Sequence, residues 1–531
     1  MINSPQGYPG RRAFLGAAAG GAAAGAAAIA LPGPAGAAAR GPATPGPAAR
    51  AAGPAPGDWA ALARDLSGPL VRPGDASYPT AKLLFDPRFD GQHPAGIAYV
   101  KNAQDVSTCL AFVRKFTIPV AARSGGHSYA GWSGTSGLIV DVSGMNTVAV
   151  SGATATAGAG TRLIDFYHGL AAYSRAVPGG VCPTVGVAGF TLGGGVGIFS
   201  RAYGLTCDNL ESVQIVTANG AVLAATADPG QHPGLFWACQ GGGGGNFGVA
   251  TEFAFRTRPA PRPVLFTLSW PWAQAAQVVA GWQSWAPYAP DEMWSKLLLL
   301  TGVGARGPAV RVQGACLGSA SDTAALLARF EAAVGAPPSD SAVSEPQPYL
   351  TAMLTEAGCA ATGYPACHLP WYSPGGTRKR QAQFSKSDFF TAALSDPAIG
   401  ALLAGVAALR TTAGAPGGIG GIQLDSFGGA INRVSPGATA FVHRNALFMA
   451  QYTTDWYADA TAAEISNQHA WIRSCWASMR PYASGQAYVN YIDPDLINWR
   501  QAYYGANYPR LAVIKRGYDP TGLFTFPQAI T

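Results

Sequence analysis

Three glycine-dense loops crowd into one stretch of the chain: RSGGHSYAGWSG at 123–134, GGVCPTVGVAGFTLGGGVG at 179–197 and GGGGGNFG at 241–248. Glycine loses more backbone freedom on folding than any other residue, so such runs are unfavourable to order. They persist where backbone must approach something closely or adopt dihedrals closed to side chains. Whatever fold this chain takes must gather the loops around a flat or charged object. At 531 residues the chain is also too long for one ordinary core, so two domains are expected.

Between the loops, strand and helix patterns alternate. Residues 96–100 read as a strand, Val106, Cys109, Leu110 and Val113 follow helical spacing, and 118–122 returns as a strand. Segments 138–142 and 148–150 are further strands. Leu163, Phe166, Tyr167 and Leu170 make a second helical face, with Thr161 as its N-cap. Asn219-Gly220, between apolar runs at 213–216 and 221–223, predicts a two-residue hairpin turn. The fold class is therefore α+β over 76–258. RPAPRP at 258–263 marks a boundary. Beyond it, strands at 266–270, 296–301 and 309–315 with helices near 274–286 and 322–334 predict a sheet backed by helices.

The first loop has two chemical readings. Gly126-His127-Ser128-Tyr129-Ala130 is one residue from G-x-S-x-G, the turn that presents a catalytic serine between a strand and a helix. The strand is there, but the stretch from Gly131 to Gly137 cannot open a helix, and another strand follows. A secreted serine hydrolase using Ser128, with partners such as Asp425 and His443, is thereby disfavoured. GGGNFG at 243–248 satisfies G-x-G-x-x-G, yet 249–255 alternates like a strand and no acid follows at the required distance. A Rossmann turn is excluded. The other reading centres on His127. Alone, His127 or Cys182 would be an ordinary structural residue. Framed by two glycine loops of one domain, they are two nucleophiles, each able to bond covalently to a flavin ring.

Four motifs in order resemble the berberine bridge enzyme-like flavoproteins of the vanillyl-alcohol-oxidase, or PCMH-type, FAD-binding group: RSGGHSYAGWS, VCPTVGVAGFTLGGGVG, GLFWACQGGGGGNFGVATEF and the C-terminal YVNYIDPDL…YYGANYPRL…YDPTGLFTFPQAI. The bicovalent oligosaccharide and aclacinomycin-type oxidases of bacteria are similar. The resemblance implies a PCMH-type FAD-binding domain of two subdomains at 76–258, an inserted substrate domain of antiparallel sheet and helices at 259–489, and a return of 490–531 to the FAD domain. It implies FAD attached through His127 to the 8α carbon and through Cys182 to C6. Arg123, Ser124, Gly125, Gly126, Ser128 and Gly131 then belong to a pyrophosphate cradle. Gly186, Gly189, Gly193, Gly194 and Gly197, with Gly244, Gly245, Asn246, Val249 and Asn490, would bracket the rest of the cofactor.

By the same resemblance, Tyr491 of Tyr488-Val489-Asn490-Tyr491 is the base that takes a hydroxyl proton, and Tyr488 is the second choice. A tyrosine ordinarily titrates at about 10, so a partner or the flavin must depress it. Asp425 resembles the assisting acid, and Gln451 occupies the position of a polar active-site residue. Val185, three residues after Cys182, resembles the small gatekeeper of relatives that admit oxygen. Positions 188–190, Ala-Gly-Phe here, depart from the Gly-Gly-His of many relatives. The implied activity is oxidation of hydroxyl groups on carbohydrates or glycosylated natural products, with O2 as acceptor and hydrogen peroxide as product. Oxidation and cyclisation of alkaloids or phenols is the alternative.

The N-terminus predicts export. Gly10-Arg11-Arg12-Ala13-Phe14-Leu15-Gly16 is a twin-arginine pattern, an Ala/Gly stretch follows, and Ala37-Ala38-Ala39 offers a cleavage site. The expectation is a signal peptide at 1–39, a Pro/Ala/Gly-rich segment at 40–75 that is disordered over 40–57, and secretion. No Leu/Ile-rich run of about 20 residues occurs, so no membrane anchor is expected. A net charge of +7 without a Lys/Arg run or basic stripe argues against nucleic acid. No C-x-x-C or H-E-x-x-H appears, so no metal is expected. Of the eight cysteines, Cys359 and Cys367 in AGCAATGYPACH are the expected disulfide. The partners expected of this monomer are a small-molecule or oligosaccharide substrate and O2.

Overall fold

The parallel strands Gly96–Tyr99, Leu138–Asp141 and Val120–Arg123 form the first layer of the molecule, a computed structural model that describes residues 53–301, 307–412, 419–456 and 460–531. The twin-arginine segment and most of 40–57 lie outside the described residues. Parallel strands need a long crossover, and the helix Ala103–Phe116 supplies it between Gly96–Tyr99 and Val120–Arg123. Its predicted face, Val106, Cys109, Leu110 and Val113, is fully buried. Asn102 caps it by accepting from the Asp105 amide at 2.9 Å.

The folded unit begins earlier than the expected boundary at 76. The helix Pro56–Asp65 buries Trp59 and Leu62, with Trp59 lying 4.7 Å from the Phe112 ring. Leu70–Val71 then adds an antiparallel strand against Ile97 and Ala98. Proline is tolerated at the first position of a helix, so a Pro-rich segment still nucleates one here.

A five-stranded antiparallel sheet follows, in the order Val148–Ser151, Thr154–Gly158, Val249–Arg256, Leu210–Val216, Val222–Thr226. The strand Val249–Arg256 leaves the third glycine loop directly, as expected once a Rossmann turn is excluded. Two local expectations change. Thr161 does not cap the helix Leu163–Ala171: Arg162 holds the cap position, and the Thr161 hydroxyl has no partner among the described residues. The hairpin loop is three residues long, closed by Thr217 N–H to Ala221 O at 3.0 Å and Gly220 N–H to Thr217 O at 2.8 Å. Gly220 takes the left-handed residue (φ 86°) that a type I turn with a bulge requires.

The second half builds a seven-stranded antiparallel sheet in the order Asp340–Val343, Val264–Trp270, Ala309–Cys316, Met293–Leu300, Ile419–Ser426, Phe448–Trp456, Ala382–Phe390. Strand alternation divides its residues between two faces. Leu297, Leu299, Ile422, Leu424, Ala450, Tyr452 and Phe384 join the apolar cluster of the backing helices Ala275–Trp285, Ala320–Val334, Asp396–Thr412 and Ala462–Met479. Lys296, Gln423, Asp425, Gln451, Ser385 and Thr453 take the other face and are also buried. A buried polar face is costly unless polar groups meet it. Arg201 ties the halves together, donating to the carbonyls of Met293 (2.8 Å), Pro287 (3.0 Å), Ala289 (2.5 Å) and Phe427. Cys359 and Cys367 form a disulfide with Cα atoms 5.7 Å apart, and the other six cysteines are free. Among the described residues, no helix is long and apolar enough to cross a membrane.

Candidate active site

The three glycine loops meet around one cavity of about 480 Å³. Its wall comes from 120–129 and 132–135, from the second loop around Cys182 and Gly189, from 243–246, and from the inner face of the large sheet at Trp294, Lys296, Gln423 and Asp425. The C-terminal segment closes it with 488–492 and 524–528. Lys515 pins this closure, donating to the carbonyls of Asn246 and Phe524 at 2.7 Å each.

The first two loops pack backbone to backbone, which only glycine allows. A Cβ on Gly125 would overlap the Gly186 backbone, and one on Gly186 would overlap Ser124 and Gly125. Ser124 cannot swing aside, because its hydroxyl donates to Ala159 O at 2.6 Å. Gly186→Ala is therefore expected to destabilise the fold by about 1–3 kcal/mol, as overpacking does, measurable as a lowered Tm.

His127 and Cys182 converge on one hydroxyl. Thr184 Oγ1 lies 2.9 Å from His127 Nε2 and 3.8 Å from Cys182 Sγ. The His127 ring stacks on Phe85 with centroids 3.9 Å apart. Burial, reinforced by the Arg162 guanidinium, lowers its pKa to about 3, so the imidazole is neutral. Burial pushes the Cys182 thiol above its ordinary value, and hydrogen bonds from Thr184 pull it back in part.

On the same cavity, Tyr491 stands edge-on to Tyr488 (5.1 Å between centroids) and Tyr129 (6.1 Å). Its hydroxyl has no hydrogen-bond partner among the described residues. No protein group among the described residues depresses the Tyr491 pKa: burial and the nearby Asp425 carboxylate push it well above the ordinary value, which leaves the flavin as the expected source of any lowering. Asp425 is held by Gln423 Nε2, at 3.0 and 2.8 Å from its two oxygens. Burial raises its carboxyl, while Gln423 and the Lys296 ammonium oppose the rise.

Several expected site residues serve otherwise. Tyr488 is an anchor, its oxygen accepting from Gly195 N–H (2.9 Å), Val196 N–H (3.3 Å) and Asn490 Nδ2 (2.9 Å). Gln451 lies behind Tyr129 rather than on the cavity wall, donating to Tyr129 Oη and Ser385 Oγ at 3.1 Å each. Gly131, Gly193 and Gly194 are also off the wall. Gly131 (φ 71°) packs on Phe89, Gly193 lies under the Asn490 amide, and Gly194 (φ 122°) abuts Phe441. Ser128 lines the cavity, as expected of a cofactor contact, and its Oγ accepts from the Trp132 amide at 3.2 Å, closing a turn. His443 stacks on Phe389 and bonds Gln486 at 2.7 Å, away from the cavity, so no serine triad is assembled. The other expected cofactor contacts, Arg123, Ser124, Gly125, Gly126, Gly186, Gly189, Gly197, Gly244, Gly245, Asn246, Val249 and Asn490, all line the cavity.

Sequence reasoning missed Tyr129, Trp132, Trp294, Lys296 and Gln528 on the cavity wall, and Thr184 behind His127 and Cys182. Lys296 alone carried a usable sign, a lysine inside the apolar strand MWSKLLLL with the same parity as Trp294.

The cavity suits a dinucleotide with a flat ring. The side of Gly189 where a Cβ would stand is open to 4 Å, and at Gly244 the first neighbour is 3.6 Å away. Arg123 Nη1, Trp294 Nε1 and Gln528 Oε1 are buried on this wall without partners among the described residues, a ready donor and acceptor set.

Comparison with known proteins agrees. The model of the FAD binding domain matches 94–226, and that of berberine and berberine-like proteins matches 487–531. An uncharacterised FAD-linked oxidoreductase, YgaK of Bacillus subtilis (strain 168), is 32% identical over 88% of this chain and 97% of its own. Berberine bridge enzyme-like Cyn d 4 of Cynodon dactylon is 30% identical over 82% and 84%. Among solved structures, BBE-like 1 of Physcomitrella patens superposes with a TM-score of 0.79 at 30% identity, over 89% of this chain and 98% of its own. A chitooligosaccharide oxidase gives 0.78 at 26%, with the same coverage. A Phl p 4 variant carrying isoleucine-to-valine and asparagine-to-histidine changes, described as a glucose oxidase, gives 0.76 at 26% over 89% and 98%. The variant with the histidine change alone is described as a glucose dehydrogenase (0.77 at 26%, over 89% and 98%).

Fold and cavity thus define a PCMH-type FAD-linked oxidoreductase. Within that class, the chain belongs to the berberine bridge enzyme-like family.

Proposed function

We propose that this protein is a secreted oxidase that carries FAD on both His127 and Cys182 and oxidises hydroxyl groups of carbohydrates or glycosylated natural products, with O2 as acceptor and hydrogen peroxide as product. The observation that carries this reading is a single cavity joining the His127–Thr184–Cys182 cluster to the Tyr491–Asp425 pair. When bound there, FAD would supply the hydride acceptor for the substrate carbon and the route for electrons to oxygen. Tyr491 Oη takes the proton of the substrate hydroxyl. Because its surroundings disfavour a phenolate, Tyr491 gives up its own proton as it takes one, and the nearby Asp425 carboxylate receives it. Gln423 fixes that carboxylate. Tyr129 and Tyr488 hold the Tyr491 ring from two sides. The buried polar sheet face suits a hydroxyl-rich ligand, and the likeness to a chitooligosaccharide oxidase supports that class.

Val185, the small gatekeeper that the family resemblance implies, supports oxygen as acceptor, and among the neighbours the Phl p 4 variants described as dehydrogenase and oxidase differ by an isoleucine-to-valine change. Val185→Ile is expected to slow reoxidation by O2 by about tenfold, 1.4 kcal/mol of barrier, and to leave reoxidation by dyes unchanged. A panel of sugars and alcohols, read by peroxide, tests the whole reading. Reoxidation by quinones or dyes but not by air overturns the acceptor, and turnover of alkaloids or phenols alone overturns the substrate class. Export is tested by changing Arg11 and Arg12 to lysine, which is expected to retain the protein in the cell.

A further inference from the structure

Lys296 is a charged side chain on the cavity wall that the chemistry above leaves unused. It interrupts the apolar strand Met293–Leu300, and its side chain is only 3% exposed. A buried ammonium is tolerated only when paired, and Glu356 is the ion-pair partner. Glu356, the last residue of the helix Tyr349–Glu356, places Oε2 3.1 Å from Lys296 Nζ. Asp425 is the cross-strand partner of Lys296, and both side chains line the cavity. Such neighbours have Cβ atoms roughly 5 Å apart. Around Asp425, the other flanking strand offers Met449, its own strand offers Gln423, and the turn Val489–Tyr491 offers Tyr491. One cation therefore pairs with Glu356 and stands across the strand from Asp425, beside the base.

We propose that Lys296 is a positioning residue that supplies the positive charge holding Asp425 as a carboxylate, ready to receive the Tyr491 proton, and that Glu356 is the counter-charge limiting its pull. The proposal rests on the Tyr491–Asp425 reading of the proposed function. The balance is explicit: the substrate O–H proton passes to Tyr491 Oη, the Tyr491 proton passes to an Asp425 oxygen, and a proton already on Asp425 blocks the transfer. Removing the ammonium makes Asp425 harder to ionise. Removing the Glu356 charge makes it easier. The two changes therefore act in opposite directions, which a merely structural ion pair would not produce.

The test is an infrared pH titration of the protonated-carboxyl band of the purified holoenzyme, assigned to Asp425 by its loss in Asp425→Asn, with the flavin absorbance spectrum as control for folding. Lys296→Met is expected to raise the midpoint by about one pH unit or more, as loss of an adjacent opposite charge does. Glu356→Gln is expected to lower it, and Lys296→Arg to restore it. The acid limb of anaerobic flavin reduction, with the most active sugar of the panel, is expected to move with the midpoint. Midpoints that stay put in both Lys296→Met and Glu356→Gln overturn the proposal. If Lys296→Met does not fold, the downward shift in Glu356→Gln decides the matter alone. A Tyr491→Phe enzyme that reduces its flavin at the unaltered rate instead overturns the reading beneath it, whatever Lys296 does.

Discussion

Replacing Tyr491 with phenylalanine is expected to slow flavin reduction by substrate by about 10²–10⁴-fold, the usual contribution of a positioned general base. The fold should survive, because the Tyr491 hydroxyl has no protein partner among the described residues and its removal leaves no buried group unsatisfied. The ring keeps its edge contacts with Tyr488 and Tyr129. Tyr488→Phe is the informative contrast. It strips the acceptor from Gly195 N–H, Val196 N–H and Asn490 Nδ2, leaving buried donors orphaned at roughly 1–3 kcal/mol. Tyr488→Phe should therefore lower Tm, while Tyr491→Phe lowers the rate and leaves Tm alone. Anaerobic stopped-flow reduction with a thermal melt of each variant separates the two. A Tyr491→Phe rate within about threefold of the wild type would remove Tyr491 from the base role.

The same contrast shows where sequence reading reaches and where it stops. Glycine runs state that backbone comes close to something, and the loops at 123–134, 179–197 and 241–248 do surround one cavity. They do not state which glycines face it. Gly186 and Gly189 are on the wall, whereas Gly193 and Gly194, a few residues on, turn under Asn490 and against Phe441. The difference lies in turn geometry, which a row of identical letters cannot encode. The family resemblance ranks Tyr491 above Tyr488 in YVNY, but the physical reason, the hydrogen bonds that occupy Tyr488 Oη, needs the fold. The pairing of Lys296 with Asp425 joins strands far apart in sequence. Alternation sets which face each side chain takes, but register needs the folded sheet. The helix Pro56–Asp65 was hidden by Pro/Ala composition, although Trp59 and Leu62 at i, i+3 behind Pro56 marked it.

Removal of both nucleophiles is expected to give the largest all-or-none effect. After acid precipitation, flavin colour should stay with the wild-type polypeptide and with His127→Ala or Cys182→Ala alone, and leave it only in the double variant. Loss of all flavin from the wild type would falsify covalent attachment outright. The two sites also differ in protonation, which gives their order of attachment a pH signature. His127 is neutral above about pH 3, so its lone pair is available throughout the working range. In apo Cys182→Ala supplied with FAD, acid-stable flavin should appear at a rate nearly independent of pH between about pH 5 and 9. Cys182 reacts as a thiolate, and burial holds its thiol above the ordinary value. In apo His127→Ala the rate should therefore climb with pH across the same range, since each step upward increases the small thiolate fraction. Thr184, in contact with both groups, ties the two steps together. Thr184→Val should slow attachment at Cys182, whose thiolate loses its hydrogen-bond donor, more than attachment at His127, which needs no deprotonation.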